Sequence, residues 1–432
     1  MTIERVILAG FKSFAERTEV ALRPLTILAG ANGAGKSTLM HALLLLKQTL
    51  ESDYDAGPLR LDGPHVAFSR VEQMLWAGPP QKATHFTLGL HVSSQIGYEA
   101  TFARSTDGAV PLEITQAIYS HSDQRAALST TPSQEQCLAY ARLMGSLLPN
   151  IADQALDLSG QPQRQGFFLF IPSVSRMRAA NGELVDSLTM PYPPYKSHIE
   201  KHLRGLIHVL GLRGNPRRAY PIAAIGSSFP GPFTHYVASV IAEWQRRQDE
   251  RLRQLDDDLT ALGLTSSVRA HRVSDVELAL RVGRTLGAES DDLVDIADTG
   301  LGLSQALPVL VALLVAEPGQ LVFVEHPELH LHPRAVRALA GPLRRAIGRG
   351  VWVVLETHSD LLLISLQEQV ARGALRPQDV LLHWVQRDER GASVLHSTTL
   401  DANGDWGEDV PVDFEDIRLN AVSSYLKATF KM

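Results

Sequence analysis

The residues best suited to chemistry form a glycine-rich stretch at positions 30–38, which reads GANGAGKST. The spacing matches G-x-x-x-x-G-K-[ST], in which glycines let successive backbone N–H groups turn toward phosphates. Lys36 would reach the β- and γ-phosphates, and the Ser37 hydroxyl would complete the shell of a Mg²⁺ ion. The sequence therefore predicts a nucleotide-binding loop. Its candidate contacts are Asn32, Gly33, Gly35, Lys36, Ser37 and Thr38.

A second stretch suited to chemistry is an apolar run at 321–325 that ends in Glu325. P-loop proteins use a buried strand to present an acid at its carboxyl end, where the acid holds Mg²⁺ through water. We therefore expect Glu325 to be the metal-binding carboxylate. The next residues, 326–333, read HPELHLHP, so His330 and His332 could be proposed as metal ligands. Two histidines at this spacing without further ligands are more typical of loop packing.

Two further motifs could contact phosphate. Residues 298–305 read DTGLGLSQ and lead into an apolar helix, so glycines, a hydroxyl and free N–H groups meet at one helix start. Such a start favours anions, although an ordinary glycine-rich cap is the alternative. Residues 357–359, Thr-His-Ser, directly follow an apolar strand. His358 could reach a γ-phosphate from that strand end.

Strands and helices must position these motifs. From residue 270 onward, strand and helix patterns alternate, which is typical of a mostly parallel sheet covered by helices. Strands are predicted at 2–8, 23–28, 84–92, 97–104, 275–282, 321–325 and 351–356. Helices are predicted at 36–50, 135–148, 197–210, 238–262, 304–316 and 333–347.

This order of elements predicts an α/β fold in which both ends of the chain build one nucleotide-binding domain. Residues 1–109 would form its first part and residues 271–365 its second part. Between them, residues 110–270 would form a mixed, helix-rich insertion. Residues 366–432 would form a C-terminal extension.

Composition narrows the class of protein. The 432 residues include 41 Lys and Arg against 47 Asp and Glu, so the net charge of −6 excludes a general basic footprint for nucleic acid. A single cysteine, Cys137, cannot form an internal disulfide, and a reducing compartment fits. The longest apolar runs, 39–46 and 307–316, are shorter than the roughly 20 residues of a membrane span. The opening residues show no signal-peptide pattern. We expect a cytoplasmic protein without a membrane partner.

Taken together, the four motifs resemble those of the ATP-binding-cassette (ABC) class of ATPases. They look most like the branch with structural-maintenance-of-chromosomes (SMC) and RecF-type heads and overcoming-lysogenization-defect ATPases. Residues 11–14, Phe-Lys-Ser-Phe, also resemble that branch, in which a basic residue, here Lys12, approaches the nucleotide. The resemblance covers about residues 1–105 and 270–365. It implies ATP and Mg²⁺ as cofactors and a P-loop ABC-ATPase head as the fold.

A narrower likeness concerns the motif that begins at Glu325 and the one that begins at Asp298. Both resemble those of ATPases from bacterial anti-phage defence systems of the Septu and retron-associated types. The stretches 212–220 and 379–404 share this likeness.

The resemblance implies that two heads face each other and enclose ATP. The phosphate loop of one head would meet the Gly302–Gln305 helix start of the other. Ser304 would contact the γ-phosphate, and Gly302 is the alternative contact. ATP would then supply a free-energy difference between open and closed states. Gln48 and Gln73 are candidates for the γ-phosphate-sensing glutamine of the class, and surface positions are the alternative for both.

One position departs from the class. The class places a catalytic glutamate directly after the metal-binding acid, but this chain has His326 there. An imidazole with a pKa near 6.5 can accept a proton at neutral pH, and Glu328 could act instead. We therefore expect slow turnover and a long-lived ATP-bound dimer.

The leading functional hypothesis is a regulatory ATPase of a prokaryotic anti-phage defence complex. It would form a homodimer or higher homo-oligomer and control a separate effector of the nuclease type. The alternative is an SMC- or RecF-like DNA-binding repair ATPase. Arg213, Arg217, Arg218 and the arginines of 246–253 are the candidate DNA contacts, although such arginines also pair with carboxylates between domains.

Overall fold

The structure is a computed structural model that describes residues 2–93, 95–106, 108–146, 155–157, 161–178, 184–190, 195–287 and 292–407. The strands up to residue 190 are β1 (Ile3–Ala9), β2 (Thr18–Ala21), β3 (Leu25–Gly30), β4 (His85–Val92), β5 (Ile96–Arg104), β6 (Leu112–His121), β7 (Gln124–Ser129), β8 (Ala155–Asp157), β9 (Gln163–Gln165), β10 (Phe168–Phe170), β11 (Ser173–Arg178) and β12 (Leu184–Met190). The later strands are β13 (Ile207–Val209), β14 (Tyr220–Pro221), β15 (Val268–Arg272), β16 (Glu277–Gly283), β17 (Leu293–Asp295), β18 (Leu321–Glu325), β19 (Trp352–Glu356), β20 (Val380–Arg387) and β21 (Ser393–Thr398).

The α-helices are α1 (Lys36–Leu50), α2 (Gln134–Ser146), α3 (Lys196–Gly205), α4 (Val237–Arg247), α5 (Glu250–Ala261), α6 (Leu301–Val315), α7 (Pro333–Ala338), α8 (Ala340–Gly348) and α9 (Asp360–Ala371). Short 3₁₀ turns lie at Val71–Gln73, Phe233–His235, Ile296–Asp298 and Pro377–Asp379.

The central sheet has the strand order β13-β18-β19-β3-β20-β21. Its first five strands are parallel and β21 is antiparallel to β20. β3 is buried along its whole length, as expected for a continuous apolar strand covered on both faces. The carboxyl ends of β3, β18 and β19 therefore meet at one edge of the sheet.

A six-stranded antiparallel sheet, in the order β2-β1-β4-β5-β6-β7, packs against one side of this arrangement. α1 lies in the core between the two sheets, which explains why Leu39 and the four leucines of 43–46 are buried. α6 is more apolar than α1 and lies in a second core with α4, α5 and α8. A small sheet with the order β14-β16-β15, to which β17 adds through β16, adjoins that second core.

The sheets cross the predicted domain boundaries. β6 and β7 continue the N-terminal sheet to residue 129, past the predicted boundary at 109. β13 pairs with β18, so the predicted insertion contributes an edge strand to the central sheet. β20 and β21 belong to the same sheet, so the predicted C-terminal extension begins inside it. Local hydrophobic periodicity shows a strand but does not show which sheet receives it.

Three predicted helices are divided or end early in the structure. The helix predicted at 238–262 is two helices, because Gln248 adopts a left-handed φ of 54° and Asp249 then caps the start of α5. The helix predicted at 197–210 ends at Gly205, and β13 follows it. The helix predicted at 333–347 is divided at Leu339.

α6 begins at Leu301, three residues before the predicted start at Ser304. Pro308 is therefore the eighth residue of the helix instead of the fifth. Because proline has no N–H, it cannot donate the helical hydrogen bond to the carbonyl of Ser304. No helix within the described ranges is both long and apolar enough to cross a membrane.

Candidate functional site

The phosphate loop connects β3 to α1 and has the backbone shape that its glycines allow. Gly30, Gly33 and Gly35 have φ values of 132°, 72° and 111°. At Gly30 a Cβ atom would lie 2.1 Å from the carbonyl oxygen of Val385, so that position cannot accept a side chain. Lys36 donates hydrogen bonds to the carbonyls of Gly30 (3.0 Å) and Ala31 (2.8 Å), which hold its ammonium inside the loop.

A cleft of about 680 Å³ opens over this loop. That volume is within the usual range of small-molecule sites. The structure brings together along the cleft these predicted site residues: Lys12, Asn32, Gly33, Gly35, Lys36, Ser37, Thr38, His326 and His358. The cleft is therefore lined by residues from both halves of the chain.

Lys12 enters the cleft from the turn after β1. Its ammonium lies 3.0 Å from Nδ1 of His41 and 5.3 Å from the ring centre of Phe68. Burial lowers the pKa of Lys12. Burial, followed by the charge of Lys12, also lowers the pKa of His41 to about 3, so this imidazole is neutral at pH 7.

Glu325 does not line the cleft. Its Oε1 accepts a hydrogen bond from Nε2 of His208 (3.0 Å), and its Oε2 accepts one from the backbone N–H of Gly211 (2.9 Å). Burial is the largest single influence and would raise the pKa of Glu325, but the hydrogen bond and charge of His208 together with the Gly211 N–H outweigh it, so the pKa is lowered. The carboxylate predicted to hold the metal therefore points toward β13 instead of Ser37.

The carboxylate that contacts Ser37 belongs to Glu356, at the end of β19. Ser37 Oγ donates to Glu356 Oε1 at 2.8 Å. Sequence reasoning missed this residue, although its signal was present: a second apolar strand ending in an acid, directly before Thr357-His358-Ser359. Burial raises the pKa of Glu356, and the Ser37 hydrogen bond opposes that rise.

His326 lies between two carboxylates. Its Nε2 is 3.9 Å from Glu356 Oε1, and its Nδ1 is 3.8 Å from Glu328 Oε1. The ring of His358 stacks on it at a centroid distance of 5.2 Å. The interaction with Glu328, which outweighs burial, raises the pKa of His326. An imidazolium is thereby favoured at a position where a base would have to be neutral.

The backbone around His326 is constrained. His326 has a left-handed φ of 45°, which is uncommon for a residue with a side chain. Its N–H donates to the carbonyl of Glu356 at 2.7 Å. The guanidinium of Arg213 donates to the carbonyls of Glu325 and His326. Glu328 lies outside the cleft lining and accepts a hydrogen bond from the N–H of His358 (3.1 Å).

The predicted phosphate contacts at the start of α6 lie away from the cleft. Ser304 is partly exposed and borders a different cavity, of about 230 Å³, together with Asn215 and Arg217. Gly302 packs close to the loop after β18, since a Cβ there would lie 3.0 Å from the carbonyl oxygen of His330. A nucleotide over the phosphate loop would therefore not meet Ser304 of the same subunit.

Gln305 does not fit the predicted nucleotide contact. Its side chain is buried and donates to the carbonyl of Gly214 at 2.8 Å. It therefore fixes the loop after β13 against α6 and does not face a partner surface.

The two candidate phosphate-sensing glutamines differ. Gln48 is fully buried, and its amide bonds the backbone of Arg60 and Val66. It cannot reach a nucleotide. Gln73 lines the cleft, and its Oε1 accepts hydrogen bonds from the N–H groups of Ser69 and Arg70. These bonds use only Oε1, so Nε2 of Gln73 can donate a hydrogen bond to a ligand in the cleft.

The oxygen ligands present suit Mg²⁺. A hydroxyl and a carboxylate lie 2.8 Å apart at Ser37 and Glu356, and the buried Glu356 Oε2 has no hydrogen-bond partner within the described residues. Mg²⁺ is usually bound by one or two such protein oxygens together with substrate phosphates. The described ranges contain no cluster of three or more His, Cys, Asp or Glu arranged to hold a metal. His332 instead caps α7, accepting from the N–H of Arg334.

Comparison with known proteins agrees with the site. Residues 1–94 match the family described as "AAA ATPase domain". Residues 221–365 match the family described as "AAA domain, putative AbiEii toxin, Type IV TA system". A search of curated proteins gives no match.

Solved SMC head structures are similar to this chain over most of its length. A head bound to the C-terminal winged-helix domain of ScpA has 13% identity and a TM-score of 0.48, covering 93% of this chain and 98% of that chain. The SMC head domain of Thermotoga maritima has 11% identity and a TM-score of 0.39, covering 91% and 98%. A Pyrococcus furiosus head bound to the C-terminal domain of ScpA has 12% identity and a TM-score of 0.43, covering 98% and 99%. The two matched stretches include the phosphate loop and the strand ending in Glu325, so the residues that line the site lie largely in segments similar to AAA-type ATPase domains.

Proposed function

We propose that this protein is an ABC-type ATPase that closes as a homodimer or higher homo-oligomer around ATP. One observation carries the proposal: Lys36 and Ser304 border different cavities of the same subunit. A triphosphate held over Lys36 would be neutralised on one side only. The start of α6, with Ser304 partly exposed, offers the complementary surface from a second copy.

Mg²⁺ and ATP are the proposed cofactors. Lys36 and the N–H groups of the phosphate loop would hold the phosphates, and Lys12 would add a second positive charge. When bound, Mg²⁺ supplies charge stabilisation on the phosphate oxygens. Ser37 provides a hydroxyl ligand for it.

The proposed reaction is slow hydrolysis of ATP. His326 occupies the position of the usual glutamate, and its raised pKa leaves less neutral imidazole to accept a proton from water. Glu328 is not placed to act as the base instead. It lies outside the cleft lining, and its carboxylate accepts a hydrogen bond from the His358 N–H. Long-lived ATP-bound dimers follow from this arrangement.

The proposed setting is the cytoplasm of a prokaryote, in an anti-phage defence complex where ATP controls a separate nuclease-type effector. Support comes from the resemblance of the motifs at 298–305 and 325–333 to those of defence ATPases. The family matched by residues 221–365, whose description includes a type IV toxin–antitoxin system, agrees with a role of this kind.

A DNA-binding repair ATPase is the second candidate. It requires the arginines proposed as DNA contacts to be available for phosphate, so their partners in the structure test it. Arg218 pairs with Asp298, Arg246 and Arg247 pair with Glu243, and Arg251 pairs with Asp249. Arg213 is largely buried against the end of β18, and burial lowers its pKa to about 10. Of the arginines proposed as DNA contacts, Arg213 and Arg217 make no ion pair within the described residues, and of these two only Arg217 is exposed. The paired state of the others favours the effector-linked function.

The oligomeric state tests the central proposal. A non-hydrolysable ATP analogue should convert the wild type from monomer to dimer, and analytical sedimentation measures this change. Lys36→Ala should stay monomeric because it loses the nucleotide. Ser304→Arg should bind the nucleotide yet stay monomeric, and Ser274→Arg, at an exposed site on the small sheet, is the matched control. A Ser304→Arg protein that dimerises normally would contradict the proposal.

Two measurements separate the functional candidates. Coexpression with the product of the adjacent gene should give an ATP-dependent complex if an effector is controlled. DNA clamping instead predicts ATP-dependent DNA binding whose log affinity falls steeply with log salt concentration. Absent or salt-independent DNA binding removes the second candidate.

A further inference from the structure

Two acids end neighbouring parallel strands at the nucleotide edge of the central sheet. Glu325 and Glu356 are direct partners in the register of β18 and β19. β19 lies between β18 and β3, the strand that leads into the phosphate loop. Glu356 is therefore one strand spacing, about 4.8 Å, closer to that loop than Glu325.

The carboxylate of Glu356 lies beside the hydroxyl of Ser37. Its Oε1 accepts from Ser37 Oγ at 2.8 Å, and its Oε2 is buried without a hydrogen-bond partner within the described residues. A buried carboxylate oxygen without a partner is costly. A cation beside the Ser37 hydroxyl would satisfy it.

Both oxygens of Glu325, in contrast, are engaged. His208 and the Gly211 N–H bind one oxygen each. His208 is itself held, since its Nδ1 lies 3.0 Å from Nδ1 of His65, whose Nε2 lies 3.2 Å from Glu51 Oε2. Turning Glu325 toward the metal would leave a buried backbone N–H and a buried imidazole unpaired, which is unfavourable.

We propose that Glu356 is the carboxylate that holds the Mg²⁺ of bound ATP beside Ser37, and that Glu325 is a positioning residue. This inference rests on the proposed function, since it needs ATP to bind. Glu325 fixes the end of β18 against β13 through His208 and Gly211. The metal-binding role thus belongs to the strand next to the phosphate loop.

The experiment compares Glu356→Gln with Glu325→Gln, both of which keep side-chain shape. A fluorescent ATP analogue is titrated into each full-length protein with excess Mg²⁺ and again with excess EDTA, and the ratio of the two dissociation constants is the readout. This ratio does not depend on turnover. Thermal melting of each variant verifies folding, and Ser37→Ala provides a reference for a lost metal ligand.

The wild type should bind the analogue about tenfold or more tightly with Mg²⁺. Glu356→Gln should reduce that ratio to near one, as Ser37→Ala does, while Glu325→Gln keeps most of it. Loss of the ratio in Glu325→Gln alone, or in both variants equally, would overturn the assignment. If Glu356→Gln melts early, Glu356→Ala replaces it, and an unchanged ratio there overturns the assignment too. A wild type that binds no analogue would instead refute the proposed function itself.

Discussion

Arg387 holds the phosphate loop from the far end of the sequence. Its guanidinium donates to the carbonyl of Gly33 from Nε (3.1 Å) and Nη2 (2.9 Å). In the same hairpin, Ser393 bonds the hydroxyl of Ser13 and the carbonyl of Ala34. The loop is therefore shaped by β20 and β21 as well as by its own glycines.

Removal of this contact should weaken nucleotide binding. Arg387→Ala loses two charge-assisted hydrogen bonds, so we expect affinity for a fluorescent ATP analogue to fall about tenfold. Arg390→Ala is the matched control, since Arg390 lies in the same hairpin and pairs with Asp388. Equal losses in the two variants would show that hairpin charge matters in general and that the contact with Gly33 does not.

Hydrolysis should depend on His326. We expect a slow wild-type rate and a further loss of about tenfold or more in His326→Gln, since a general base contributes at least that much. His330→Gln changes a histidine of the same loop that does not line the cleft, and should leave the rate unchanged. Phosphate release under single-turnover conditions is the measurement. Rapid hydrolysis that His326→Gln does not alter would refute the role of the imidazole.

Acid should destabilise the protein through His41. The unfolded chain binds a proton at this imidazole near pH 6.5, but the folded protein does so only near pH 3. Stability from this group is therefore present above pH 6.5 and lost as the pH falls, by about 1 to 2 kcal/mol at pH 5. Denaturant unfolding at pH 7.5 and pH 5 should show a smaller loss for His41→Gln than for the wild type.

The control for that measurement is His198→Gln, which changes an exposed histidine of α3. It should follow the wild-type pH dependence. If His41→Gln and His198→Gln lose the same stability between the two pH values, His41 does not account for the acid sensitivity.

A buried ion pair at the end of α1 should be essential for stability. Lys47 is fully buried, donates to the carbonyl of Arg204 (3.1 Å) and pairs with Glu51. Glu51→Ala would leave the ammonium buried without its counter-charge, at a cost of about 3 to 5 kcal/mol of unfolding free energy. Asp275→Ala removes a fully exposed partner of Arg272 and should change almost nothing. A small effect of Glu51→Ala in urea unfolding would contradict this account.

Much of the site follows from local sequence. The phosphate loop lies between a buried strand and an apolar helix that begins at Lys36, as predicted, because glycine spacing and apolar runs are local signals. The strand ending in Glu325 also has its predicted bounds. These features need no knowledge of distant contacts.

Other features of the site depend on sheet order, which local patterns do not encode. Glu356 lies beside Ser37 only because β19 is placed between β18 and β3. Arg387 reaches Gly33 only because β20 pairs with β3 on its other side. Gln305 is buried because the loop after β13 packs on α6. Each of these contacts joins residues more than 80 positions apart.

The placement of β20 on the far flank of β3 affects how the protein is made. Ribosomes release a chain from its amino end, and segments fold as they emerge. Lys36 is synthesised about 350 residues before Arg387, so the nascent phosphate loop lacks its brace over that interval. We therefore expect the nascent chain to bind nucleotide weakly until β20 has emerged.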